Sequence, residues 1–208
     1  MPGNMSHNVI DFTEFRNRRE LSDYVVNPMG AAVVDETSNY GEVQLYGSSS
    51  PQEHTNEAIR TQEIVNDYCS SEEGQDFFNY VSKRGRRLMN IKAVGAGDLG
   101  EKVVAAIVHN GREGIFLSNY EGLSFEDRIK DFAESSGLDE NSAMEYVLAH
   151  EHAHVAGINT ESGAEGFIKE YFQERADHYA RDGNKDLQNK YEKLANVAEQ
   201  REELQKAA

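Results

Sequence analysis

The five residues His150-Glu151-His152-Ala153-His154 constrain this chain more than any other segment. Two histidines four positions apart converge only if the segment is an α-helix, where residues i and i+4 share one face a turn apart. The surrounding sequence agrees. Asp139 and Glu140 open a polar first turn, Met144, Val147 and Leu148 supply apolar positions, and Gly157 follows as a stop, so a helix is predicted over about 140–156.

This HExxH pattern has a specific chemical reading. Neutral imidazoles bind Zn²⁺ at about 2.0–2.1 Å, and a catalytic zinc keeps one position for water. His150 and His154 are therefore read as metal ligands, with Zn²⁺ as the cofactor. Glu151 follows the first ligand and is read as the general base that takes a proton from metal-activated water. His152 stands about 200° around the helix from His150 and is expected on the surface.

A third ligand must come from the segment after Gly157. Glu161, Glu165, Glu170, Glu174, Asp177 and His178 all follow within reach. A second helix is predicted from Ser162-x-x-Glu165, a capping-box pattern, to about Asp182, with Gly183 as its stop. At about 100° per residue, Glu165 stands at the edge of the apolar face made by Ala164, Ile168, Tyr171, Phe172 and Tyr179. In an antiparallel helical hairpin it also lies near the level of the histidine pair. Both considerations favour Glu165, with Glu174 as the runner-up.

The remaining chain is read as an α+β fold: a small mixed or antiparallel sheet packed on helices, with the HExxH helix followed by a glutamate helix. Strands are expected at Ala31–Val34, Glu42–Tyr46, Arg87–Val94, Lys102–His109 and Gly114–Tyr120, with Asn110-Gly111 as a hairpin turn. Helices are expected over about 54–68 and 72–83, from Ser124 to Gly137, and over about 186–206. Three segments follow from composition: a polar amino-terminal stretch (1–50), a catalytic domain (51–183) and a charged C-terminal helix (184–208). The flanks, residues 1–50 or the tail after Gly183, are expected to block the cleft and confer latency.

Composition removes several functions. The 208 residues carry 21 basic against 37 acidic side chains, a formal charge of −16. Binding to a phosphate backbone rests on clustered Lys and Arg, so no nucleic-acid partner is expected. Cys69 is the single cysteine, which excludes an intrachain disulfide and a cysteine-based zinc site. It is read as a small buried residue. With no signal-like leader and no apolar run near the roughly 20 residues of a membrane span, the expectation is a cytoplasmic protein without membrane contact. The glycine-rich 93–100 segment lacks the Lys-Ser/Thr ending of a phosphate loop.

HEHAH, a short turn and a Glu-bearing helix together resemble the gluzincins, zinc peptidases with two His and one Glu as ligands. The small size is most similar to the compact archaeal minigluzincins. The likeness covers about residues 87–182 and departs at Gln173, where an aligned family glutamate falls. It implies a zinc-dependent metalloendopeptidase acting on a peptide or protein substrate, with extended peptide bound along a strand such as Gly114–Tyr120 and an oxyanion donor such as His178, Tyr171 or Tyr179. The alternative is a non-enzymatic helical regulatory or interaction protein that retains a structural zinc site.

Overall fold

The computed structural model describes residues 31–34, 43–46, 52–88, 93–97, 104–108, 114–118 and 123–207. Two helices lie in the first half of the chain, α1 (Gln52–Ser70) and α2 (Glu72–Lys83). Four more close the chain: α3 (Phe125–Ser136), α4 (Glu140–Val155), α5 (Glu161–Asp182) and α6 (Lys185–Ala207). Their boundaries follow local chemistry. Ser124 and Asp127 form a reciprocal capping box at the start of α3, Asp139 caps α4, and Thr160 caps α5 by accepting from Gly163 N–H. The turn into α5 passes through Gly157 at φ 82°, a conformation that a β-carbon would strain.

Extended backbone is confined, among the described residues, to five short segments: β1 (Ala31–Val34), β2 (Val43–Tyr46), β3 (Ala93–Gly97), β4 (Ala105–Val108) and β5 (Gly114–Ser118). They pair in the order β2-β1-β3-β5-β4, with β3 and β5 parallel and the other pairs antiparallel. None exceeds five residues. The expected α+β class is corrected accordingly. Six helices hold most of the described residues, and it is a helical fold, not one organised around a sheet. The reason lies in where apolar volume is buried. Of the twelve largest fully buried side chains, ten are on helices, among them Phe77, Tyr146, Ile168, Tyr171, Phe172, Tyr191 and Leu194. β5 also lies between β3 and β4, so it is not the open edge expected to receive peptide. The expected Asn110-Gly111 turn and most of residues 1–50 lie outside the described residues.

α4 is the central element. Thirteen of its sixteen residues are buried, on every face, as expected of a helix surrounded by protein rather than half-exposed. Around it, aromatic rings knit α2, α5 and α6: Phe77 meets Tyr171 at 5.1 Å, Tyr80 meets Phe167 at 5.0 Å, and Tyr179 stacks on Tyr191 at 5.6 Å. α6 buries Tyr191, Leu194, Ala195, Val197 and Ala198 in this core. No helix among the described residues is long and apolar enough to cross a membrane.

Candidate metal centre

The last two turns of α4 and the first two of α5 build the site. His150 and His154, one turn apart, bring their Nε2 atoms to 3.2 Å. Glu161, the first residue of α5, turns its carboxylate onto both: Oε2 lies 3.2 Å from His150 Nε2, and Oε1 lies 3.5 Å from His154 Nε2. Among the described residues, His150, His154 and Glu161 are thus the group whose side-chain atoms converge tightly enough to hold one metal ion. The donor set fits zinc. With bonds of about 2.0–2.1 Å at the tetrahedral angle, donor atoms stand about 3.3 Å apart, and the three distances bracket that value.

Glu165 and Glu174 occupy other positions than those expected of a third ligand. Glu165, one turn beyond Glu161, reaches the opposite side of the same imidazole, with Oε1 3.4 Å from His150 Nδ1. Its carboxylate also accepts a hydrogen bond from Tyr146 Oη and one from Arg201 Nε at 3.0 Å. The His150 ring therefore stands between two carboxylates of α5. Glu174 is exposed and ion-paired with Arg84. It lines, with Asp76, Lys83, Tyr171 and His178, a groove of about 700 Å³ between α2 and α5 that includes none of the three cluster residues. The capping-box pattern in the sequence placed the helix start at Ser162. Thr160 takes the cap instead, and this puts Glu161 in the first turn, facing α4.

The site is dry. His150, Glu151 and Glu165 are each 1% exposed and His154 is 5%. Burial opposes charge on His150, but the carboxylates of Glu165 and Glu161 outweigh it and hold the imidazole's pKa up to about 10. For Glu161 and Glu165, burial acts against ionisation and the histidine contacts prevail, so both lie below the usual carboxylate range. Glu151 is pushed up to about 7 by burial, against the pull of His150 and His154. His154 is oriented from behind, its Nδ1 2.6 Å from the Ile158 carbonyl oxygen, the outer-sphere contact that fixes a ligand's tautomer.

His152 is a correction of another kind. It is fully buried, not at the surface, with Nδ1 2.6 Å from the Leu148 carbonyl oxygen and the ring packed between Tyr68 and Phe78 at 5.3 and 5.4 Å. Cys69, buried as expected, places Sγ 3.7 Å from His152 Nε2. The candidate oxyanion donors are engaged elsewhere. His178 lies 3.3 Å from Asp182, Tyr171 donates to the Glu73 carbonyl oxygen at 3.1 Å, and Tyr179 accepts from Arg175. Tyr146 and Arg201, which do reach the site, carried no signal in the sequence beyond their places on predicted helices. Comparison with family models, curated proteins and solved structures finds no match to this chain.

Proposed function

We propose that this chain is a zinc-dependent hydrolase of the metallopeptidase type, with His150, His154 and Glu161 holding the metal and Glu151 as general base. One observation carries the reading. Two imidazoles and a carboxylate meet at distances of 3.2, 3.2 and 3.5 Å at the end of a buried helix, with a second carboxylate adjacent in sequence to the first ligand. A bound zinc ion supplies a Lewis acid and lowers the pKa of its water. Glu151, directly after the first ligand in sequence and buried with it, is read as taking a proton from that water and passing it to a leaving amine. Glu161 and the two histidines fix the ion, and Glu165 fixes His150.

A second reading is favoured by the burial itself. Ligands this inaccessible also suit a structural zinc that braces α4 against α5 in a non-enzymatic protein. One pair of measurements separates the two. Under the first reading, the purified chain holds about one zinc per molecule and cleaves an unfolded protein substrate. Glu151→Gln then retains zinc and loses cleavage. Zinc without turnover in the wild type selects the structural reading. Absence of zinc that added Zn²⁺ does not restore removes both.

A further inference from the structure

The Glu165 carboxylate is held at both oxygens. Tyr146 Oη donates to Oε2, while Arg201 Nε donates to Oε1 at 3.0 Å. His150 Nδ1 also faces Oε1, at 3.4 Å. Arg201 comes from the far end of the C-terminal helix α6, its guanidinium lying 5.5 Å from the Phe132 ring centroid, and it is largely buried beside Glu165. A glutamate has three side-chain torsions, and one contact to an imidazole leaves it several rotamers. Clamping both oxygens leaves it one. That carboxylate stands 3.4 Å from His150 Nδ1, while His150 Nε2 lies 3.2 Å from both His154 Nε2 and Glu161 Oε2.

We propose that Arg201 and Tyr146 are positioning residues of the metal centre, acting on His150 through Glu165. The proposal rests on the metal-binding reading above. It makes α6 part of the centre although α6 contributes no ligand. Outer partners of this kind typically change metal affinity about 10–100-fold when removed.

The test uses the full-length chain, with Zn²⁺ and Co²⁺ titrations, the visible spectrum of the cobalt form, and circular dichroism to follow folding. Arg201→Met, Tyr146→Phe and Glu165→Gln should each weaken metal binding about 10–100-fold and alter the cobalt spectrum. Arg201→Lys should recover part of the loss. The double variant Arg201→Met/Glu165→Ala should bind no more weakly than Glu165→Ala alone, because the arginine acts through that carboxylate. Additive losses in the double variant, or unchanged affinity in folded single variants, would overturn the proposal. If Arg201→Met does not fold, Tyr146→Phe, which removes one hydroxyl, carries the same comparison. A wild type that takes neither metal refutes the metal centre itself. A wild type and variants that bind equally leave the centre standing and remove the positioning role.

Discussion

Three histidines within five positions of α4 have three different environments. His150 lies between two carboxylates, His154 is tied to a backbone carbonyl, and His152 packs among aromatic rings. The first two face α5, and the third faces α1 and α2. Burial lowers the pKa of His152 to about 4. A folded-state pKa below the unfolded value means stability present above about pH 6.5 and lost as the pH falls toward 4, at most about 3 kcal/mol for a shift of this size. Glu151, raised to about 7, works the other way over part of that range, so the effect is read as a difference. Urea unfolding of wild type and His152→Phe between pH 7.5 and 4 should show the wild type losing up to about 3 kcal/mol relative to the variant. A pH-independent gap between the two would disprove this. The cluster itself makes an equally direct prediction. Under the proposed zinc reading, Glu161→Ala should lower zinc affinity by at least about 100-fold, since it would remove one of three ligands, while Glu174→Ala, which breaks only an exposed ion pair, should leave it unchanged. Isothermal titration with Zn²⁺ decides between them, and equal losses would refute the assignment of Glu161.

At the scale of elements, helix ends defined by local chemistry were legible and helix partners were not. Ser124 with Asp127, Gly137, and Gly157 after the HExxH run each mark a boundary through a contact within a few residues. The start of α5 was ambiguous for a physical reason. Thr160 and Ser162 are both good caps, and only the tertiary use of Glu165 by His150, Tyr146 and Arg201 frees it from reaching back to Ser162. The burial of His152 was hidden because an isolated helix pattern shows one apolar stripe, whereas α4 is enclosed on all sides. The strand-like runs misled about fold class, since short apolar segments say nothing of whether they form the body of a fold. α6 read as a charged tail because its apolar stripe is thin, yet Tyr191, Leu194 and Ala198 are essentially inaccessible. Truncation after Gly183 should therefore unfold or destabilise the chain instead of relieving latency. Leu194→Ala in the full chain should cost about 2–5 kcal/mol in chemical denaturation. A truncated chain as stable as the whole would show that α6 is dispensable.

For the whole molecule, charge is the dominant long-range term. A formal charge of −16 over 208 residues opposes compaction. The exposed pairs Arg60–Glu126 and Arg84–Glu174 add little to stability, because water and salt screen them. Screening weakens both, and the repulsion is the larger. Raising monovalent salt from about 0.01 to 0.15 M shortens the Debye length from about 30 to 8 Å and should raise the melting temperature by a few degrees. A fall in scanning calorimetry would mean that the surface pairs dominate. The turn through Gly157 carries one more consequence. His154 and Glu161 are separated by a connection already closed by the packing of α4 and α5, so the loop entropy that a zinc finger recovers from its metal is settled here before any ion arrives. Under the metal-binding reading, a chelator should then strip the ion without melting the helices. The ion would act as the tenant of a finished room, not as one of its walls.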